Sequence, residues 1–129
     1  MNGKNTTLSQ DEFFMKLALR EAQQGDFPFG AVIEKNGEIL SAGHNQGIKL
    51  NDPTAHAEMM AIRNYIAQHP ANNLINATIY TTGEPCPMCA AALIWCGVKR
   101  VVYAASIEDR KSTRLNSSHS QQSRMPSSA

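Results

Sequence analysis

Residues 77–104, ATIYTTGEPCPMCAAALIWCGVKRVVYA, determine the expected architecture of this chain. Residues 77–82 and 98–104 are rich in β-branched and aromatic side chains, a composition typical of strands. Residues 88–96 between them follow a proline and precede a glycine, the usual boundaries of a helix. A strand, a helix and a strand in so short a segment predict a right-handed crossover between two parallel strands.

The residues upstream add two helices and a hairpin. Ser9 opens an S-x-x-E capping box, which predicts a first helix over residues 10–24. An Asn-Gly pair separates two short apolar runs and predicts antiparallel strands at residues 29–33 and 38–43. A run of strong helix formers then predicts a helix over residues 55–68. The resulting order, α-β-β-α-β-α-β, predicts an α/β fold in which a mixed sheet has helices on both faces.

Two cysteines and a histidine stand at the starts of predicted helices. Cys86 and Cys89 lie at i, i+3 and share one helix face, while His56 lies in the first turn of the helix over residues 55–68. Zinc prefers cysteine sulfur and histidine nitrogen in a tetrahedron, and its catalytic sites keep the fourth position for water. His56, Cys86 and Cys89 are therefore the predicted ligands of one catalytic Zn²⁺ ion.

Glu58 supplies the carboxylate that a hydrolytic reaction needs. It follows His56 by two residues, about 200° around an ideal helix, so it is badly placed to bind the same ion. A carboxylate beside the metal can instead take a proton from water and deliver it to a ring nitrogen and a departing amine. The combination predicts metal-assisted hydrolytic deamination with Glu58 as the catalytic residue.

Each motif has other interpretations when it is taken alone. A single C-x-x-C can be half of a structural zinc site or a redox pair, and His-x-Glu is common by chance. The occurrence of both motifs at helix starts favours the zinc hydrolase. Cys96 falls among apolar helix residues and is predicted to pack in the core. His44 and His69 lack partners at metal-ligand spacing and are predicted to be ordinary surface residues.

Composition narrows the class of protein. A chain of 129 residues with 42% apolar and 18% charged residues is typical of one globular domain. It has no apolar run long enough to span a membrane, and its first residues do not resemble a signal peptide. Three cysteines without such a signal favour metal binding over disulfides and predict a cytoplasmic location. Residues 1–108 carry eight Lys/Arg against ten Asp/Glu, and this mildly acidic charge does not indicate a nucleic-acid partner.

The two motifs together match the H-x-E and P-C-x-x-C signature of zinc nucleobase deaminases. Residues 51–58 and 84–89 resemble the cytidine and deoxycytidylate deaminase superfamily, in the branch of bacterial guanine deaminases and tRNA adenosine deaminases. The resemblance covers about residues 10–106. It implies a three-layer α/β/α deaminase fold and one zinc ion, held by His56, Cys86 and Cys89, with Glu58 as the proton shuttle.

The resemblance also implies substrate-binding residues. Asn45 matches an asparagine that contacts the purine ring in the family, Phe29 is a candidate aromatic wall of the pocket, and Ala57 lies inside the H-A-E motif. The residues around Phe29 and the Ile94-Trp95 pair resemble guanine deaminases, whereas the tRNA-editing branch usually has valine where Phe29 stands. The expected activity is deamination of a small purine base or nucleoside, guanine above all, by a homodimer.

Two alternatives stay open at this point. The first is a tRNA adenosine-to-inosine deaminase, and only this alternative involves a nucleic-acid partner. The second is a zinc-binding interaction domain without catalytic activity.

The last residues differ in character from the rest of the chain. The segment 109–119 resembles a translated sequencing adapter, and the Ser/Gln-rich end that follows has no periodicity. We therefore expect a deaminase domain over residues 1–108 and a non-native tail, or a natural disordered one, over residues 109–129. The last helix and the usual fifth strand of the family would fall in this tail, so the domain is expected to be truncated at its C-terminus.

Overall fold

The computed structural model describes residues 6–107 and 121–124, and a single mixed sheet forms its centre. In chain order the elements are α1 (Thr6–Ala22), β1 (Gly30–Lys35), β2 (Glu38–His44), α2 (Ala57–Ile66), a 3₁₀ helix (Ala71–Leu74), β3 (Thr78–Gly83), α3 (Pro87–Cys96), β4 (Arg100–Ala105) and β5 (Gln121–Arg124). The order of strands across the sheet is β2-β1-β3-β4-β5.

The strand pairing confirms the two local predictions from which the fold was inferred. β1 and β2 are antiparallel, and Asn36 and Gly37 between them have φ of 55° and 85°, as a tight hairpin turn requires. β3 and β4 are parallel and are connected through α3. β1 also pairs antiparallel with β3, which joins the hairpin to the crossover unit.

Alternate residues of the central strands build two separate cores. On one face, Val32, Tyr80 and Val102 pack with Phe14 and Ala18 of α1. On the other face, a second cluster joins the sheet to α2 and α3, and it contains Ile33, Ala61, Ile79, Leu93 and Val101. The chain therefore has the expected α/β/α layers. Within the described residues, α1 covers one side of the sheet and both motif-bearing helices cover the other.

Two glycines let the helices approach the sheet backbone closely. A Cβ atom at Gly30 would lie 2.5 Å from the amide nitrogen of Ala22 in α1. A Cβ atom at Gly43 would lie 2.6 Å from the carbonyl oxygen of Ala57, at the start of α2. Both distances are shorter than real Cβ contacts, so any side chain at these positions would push a helix away from the sheet. Gly43 thus helps to set the position of the helix start that carries the H-x-E motif.

The predicted boundaries of α1 were wrong. The helix begins at Thr6, so Ser9 lies inside it and is not its N-cap. A serine within a helix keeps the S-x-x-E spacing without capping anything, and the pattern alone does not locate a helix start. Among the described residues, no helix is long and apolar enough to cross a membrane.

Strand β5 falls within residues 109–129, the expected non-native or disordered tail. Its backbone pairs antiparallel with β4, which joins Arg100 to Arg124 and Tyr103 to Gln121 in register. No strand was predicted there. The rest of residues 109–129 lies outside the described part of the chain, and the non-native origin of this tail stays a prediction.

Candidate metal and active site

The two motifs lie at the N-terminal ends of α2 and α3. His56 and Cys86 are the N-cap residues, with extended backbones at φ −70° and ψ 161° for the histidine and φ −70° and ψ 169° for the cysteine. Their carbonyl oxygens accept the first helical hydrogen bonds, from Met60 and Ala90 respectively. The helix predicted over residues 55–68 begins two residues later, at Ala57, so His56 precedes its first turn instead of lying within it. Because His56 is a cap residue with an extended backbone, its side chain does not follow the direction of the helical side chains and can point towards α3.

The side chains of His56, Cys86 and Cys89 converge on one point. The imidazole Nδ1 lies 3.5 Å from the Sγ of Cys86 and 3.7 Å from the Sγ of Cys89. The three donor atoms all lie within 4.8 Å of one another. Tetrahedral zinc, with its usual bond lengths to nitrogen and sulfur, separates these donors by about 3.6 Å. The donor set and its spacing therefore fit a zinc ion with three protein ligands and one open position.

The surroundings of Cys89 restrain its ionisation. Burial raises the pKa of the Cys89 thiol well above its usual range, and the nearby carboxylate of Glu58 raises this pKa further. Cysteine binds zinc as the thiolate, so metal binding at this position must release a proton. The N-terminal dipole of α3 acts in the opposite direction, since it favours a negative sulfur at the helix start.

Glu58 is buried beside the three donors and has a specific partner in the sheet. Only 7% of the residue is exposed, and its Oε2 accepts a hydrogen bond of 2.9 Å from the hydroxyl of Thr81. Thr81 lies in β3, so this bond ties the first turn of α2 to the central strand. The group of metal donors does not include Glu58. This arrangement suits a carboxylate that exchanges protons next to a metal rather than one that binds it.

A small pocket of about 90 Å³ opens over this cluster. It contains all three of the predicted substrate-binding residues, Phe29, Asn45 and Ala57. Asn45 is 8% exposed, and its Oδ1 accepts a hydrogen bond of 2.9 Å from the backbone N–H of Gly47. This bond fixes the orientation of the amide, so the Nδ2 group is the part of Asn45 that is left to donate to a ligand. The complete lining is Phe29, Asn45, His56, Ala57, Glu58, Gly83, Glu84 and Cys86.

Sequence reasoning missed three residues of this site. Gly83 and Glu84 line the pocket, and Thr81 holds the carboxylate of Glu58. Glu84 belongs to the segment 84–89 that resembles the deaminase superfamily, but no role was predicted for it. Its backbone N–H donates to Ala105 and its Oε1 accepts from Ile107, so it also anchors the end of β4. The position of Thr81 in a β-branched strand gave no signal of its own.

The remaining predictions about cysteine and histidine have mixed outcomes. Cys96 is partly buried and packs against the larger core cluster, as predicted. His44 is not an ordinary surface residue, because its Nδ1 lies 2.6 Å from a carboxylate oxygen of Glu21 and only 20% of its side chain is exposed. His69 is exposed and stacks on Tyr65.

The geometry agrees with the result of comparison with known proteins. Residues 8–105 match the family described as the cytidine and deoxycytidylate deaminase zinc-binding region, and the chain belongs to this family. Two of its relatives carry different names. The chain is 44% identical over 98 residues to a tRNA-specific adenosine deaminase of Aquifex aeolicus, covering 73% of this chain and 65% of that protein. It is 45% identical over 103 residues to the guanine deaminase of Bacillus subtilis, covering 76% and 66%.

A solved structure extends the likeness to three dimensions. The crystal structure of guanine deaminase from Bacillus subtilis aligns with a TM-score of 0.69 at 40% identity, covering 83% of this chain and 71% of the other. The fold is therefore that of the zinc deaminases. The chain spans about two thirds of the length of the curated relatives that it matches.

Proposed function

We propose that this chain is a zinc-dependent hydrolytic deaminase of a purine base or nucleoside, with guanine as the preferred substrate. The observation that carries the proposal is the meeting of two metal donors, His56 and Cys86, with the buried carboxylate of Glu58 in the wall of one pocket. Deamination needs a metal ion and a proton-transferring carboxylate within reach of the same ring carbon. Guanine and water would give xanthine and ammonia.

The proposed roles of the residues follow from their positions. Zinc, when bound, lowers the pKa of a water molecule enough to provide a nucleophile near neutral pH. Glu58, held by Thr81, accepts a proton from that water and delivers it to the ring nitrogen beside the reacting carbon. The water oxygen bonds to the ring carbon, and the proton of the resulting hydroxyl group passes through Glu58 to the amine. The C–N bond then breaks and ammonia leaves. The ring carbon keeps the oxygen of water as its new carbonyl group.

The proposed substrate-binding residues suit a flat ring that carries polar atoms. Phe29 offers an aromatic surface for stacking, and the Nδ2 group of Asn45 offers a hydrogen-bond donor to a ring acceptor. Ala57 has no polar side-chain atom and leaves room for the ring above the metal donors. These groups recognise a purine base and need no contact with a polynucleotide.

Deamination of adenosine in tRNA is the second candidate. The tRNA-specific adenosine deaminase of Aquifex aeolicus and the guanine deaminase of Bacillus subtilis are nearly equally similar to the chain, at 44% and 45% identity. The mildly acidic charge of residues 1–108 favours a small substrate, because a protein that binds RNA gains affinity from Lys and Arg at the phosphates.

The experiment that separates the two candidates measures ammonia release and inosine formation in parallel. Guanine, adenosine, cytosine and cytidine are offered as free substrates, and a tRNA anticodon stem-loop is offered as the RNA substrate. We expect ammonia release that is fastest with guanine. Activity on the stem-loop alone would overturn this preference in favour of the tRNA candidate.

A zinc-binding domain without activity is the third possibility, and Glu58→Gln tests it. The amide keeps the shape of the side chain but cannot act as a base, so we expect turnover to fall by about 10²-fold to 10⁴-fold with the zinc content unchanged. Glu12→Gln, which removes an exposed carboxylate from α1, is the matched control. A wild-type protein that holds zinc but deaminates none of the five substrates would favour the non-catalytic domain.

The proposal includes a homodimer in the cytoplasm, where the thiol ligands stay reduced. Sedimentation at several protein concentrations measures the assembly, and a monomer at all of them contradicts the dimer.

A further inference from the structure

The chain that leads into His56 is held by a polar cluster outside the pocket. Asp52 accepts two hydrogen bonds at Oδ1, one from the backbone N–H of Thr54 at 2.9 Å and one from its hydroxyl at 2.6 Å. Arg63 donates from Nη1 to Oδ2 of Asp52 at 3.3 Å and from Nη2 to the hydroxyl oxygen of Thr54 at 3.2 Å. One guanidinium thus bridges both side chains, and we call Asp52, Thr54 and Arg63 the loop clamp.

The loop clamp connects the metal ligand to the body of its own helix. Arg63 lies seven residues after His56, close to two helical turns, so it sits on the face of α2 from which the preceding chain departs. Thr54 stands only two residues before His56, and Ala55 between them is completely buried. Because His56 is a cap residue, no helical hydrogen bond of its own N–H fixes its backbone, and that N–H instead contacts the carbonyl of Thr54 at 2.8 Å.

The same loop ends at the pocket asparagine. The backbone N–H of Gln46 donates to the carbonyl of Ala55 at 3.0 Å, and the N–H of Asp52 donates to the carbonyl of Gly47 at 2.9 Å. These bonds close residues 45–56 into one compact loop with Asn45 at one end and His56 at the other. A displacement of the clamped part would therefore reach the metal donor directly.

We propose that Arg63, with Asp52 and Thr54, is a positioning residue that directs the imidazole of His56 towards the two cysteines. The inference rests on the proposed zinc site. By itself, the contact between Arg63 and Asp52 resembles an ordinary ion pair at the surface, since their side chains are 39% and 35% exposed. The proposed role of this contact is to position a metal ligand. Partners that orient a metal ligand affect metal affinity strongly even when they contribute little to folding.

The test compares zinc affinity in variants of the loop clamp. Arg63→Met keeps most of the side-chain length and removes the guanidinium, and Thr54→Val keeps the shape and removes the hydroxyl. We expect each to weaken zinc binding by about tenfold or more, measured by competition with a chromophoric chelator at constant pH. Thr54→Ser, which retains the hydroxyl, is expected to keep the wild-type affinity.

A second ion pair in the chain provides the control for general loss of stability. Arg100 and Asp11 are less exposed, at 18% and 14%, and they join α1 to β4 far from the loop. Arg100→Met should therefore lower the thermal midpoint more than Arg63→Met does, yet leave the zinc affinity of the folded protein unchanged. If Arg100→Met does not fold, Asp11→Asn serves as the milder form of the same control.

Cobalt spectra identify the ligand that moves. Cobalt bound by cysteine gives sulfur-to-metal charge-transfer absorption, and its d–d bands report the coordination geometry. In Arg63→Met we expect the charge-transfer absorption to persist and the d–d bands to shift towards those of His56→Ala. Affinity within twofold of wild type together with unchanged d–d bands would overturn the inference, as would an equal loss of affinity in Arg100→Met. Absence of charge-transfer absorption in the wild type would refute the zinc site itself, which is a separate and recognisable result.

Discussion

At the scale of single residues, the hydrogen bond between Thr81 and Glu58 connects strand β3 to the proposed catalytic carboxylate. Both residues are buried, so few waters can replace the hydroxyl if it is removed. A hydrogen bond to a buried carboxylate contributes about 1.5 to 3 kcal/mol, and its loss leaves the carboxylate less well held. Thr81 is therefore expected to act on the rate through the orientation of Glu58.

Thr81→Val tests this expectation at constant side-chain shape. We predict that turnover falls by about tenfold while the zinc content stays at the wild-type value, because the metal donors are untouched. Steady-state kinetics and metal analysis on the same preparation give the two numbers. Thr82→Val is the matched control, since Thr82 is also buried but its hydroxyl accepts from the N–H of Gly30. Equal losses in the two variants would show that buried hydroxyls matter only for folding.

At the scale of elements, the start of α2 is placed by its contact with β2. Gly43 faces the first turn of this helix so closely that even a methyl group would meet the carbonyl oxygen of Ala57. Backbone cannot move aside as a flexible side chain can, so the helix start itself must shift. Because His56 and Glu58 flank Ala57, the shift would change the metal site as well as the packing.

Gly43→Ala is predicted to destabilise the fold by about 1 to 3 kcal/mol and to weaken zinc binding at the same time. Urea denaturation and chelator competition measure the two effects. Gly37→Asn is the control, because nothing lies within 4 Å of a Cβ at this turn position. Its φ of 85° strains any side chain, asparagine less than most, so this variant is expected to lose stability but to keep the zinc affinity. A stable Gly43→Ala protein with wild-type zinc affinity would contradict the close-packing argument.

The sequence predicted an element correctly where the pattern that defines it lies within a few neighbouring residues. The Asn36 turn and the crossover through α3 rest on neighbouring residues, and both were predicted correctly. The start of α1 was not, because a capping pattern can occur inside a helix that continues past it. The metal donors were identified from their types and spacing, whereas the bonds from Thr81 to Glu58 and from Arg63 to Asp52 depend on register and loop shape, which no spacing encodes.

At the scale of the whole molecule, one partly buried network of hydrogen bonds joins α1 to two strands of the sheet. Tyr80 in β3 donates its hydroxyl to Asp11 at 2.8 Å, and Arg100 in β4 donates to both carboxylate oxygens of Asp11. The three residues come from α1, β3 and β4, so the network spans the full sequence distance between the first and last elements of residues 6–107. It lies on the face of the sheet opposite α2 and α3, and it supports the fold without reaching the pocket.

This network makes the stability of the molecule sensitive to alkaline pH. Burial raises the pKa of Tyr80 above its ordinary value of 10.0, and the bond to Asp11 raises this pKa further. The folded state therefore holds the proton of Tyr80 more tightly than the unfolded state does. The stabilisation is complete below about pH 10, the pKa of an unfolded tyrosine, and it is lost as the pH rises from there towards the raised pKa of the folded state.

Tyr80→Phe is predicted to remove this pH dependence. At neutral pH the variant loses one hydrogen bond and is less stable by about 1 kcal/mol, because Asp11 keeps its ion pair with Arg100. Above pH 10 the wild type should lose stability more steeply than the variant, so their free energies of unfolding converge. Burial also raises the pKa of Tyr103, but this residue is present in both proteins, so its effect cancels in the difference between them. Urea denaturation at a series of pH values between 8 and 11 measures how steeply the stability of each protein falls. Parallel slopes would refute the assignment to Tyr80. They would not affect the proposed zinc site, because the network and the site lie on opposite faces of the sheet.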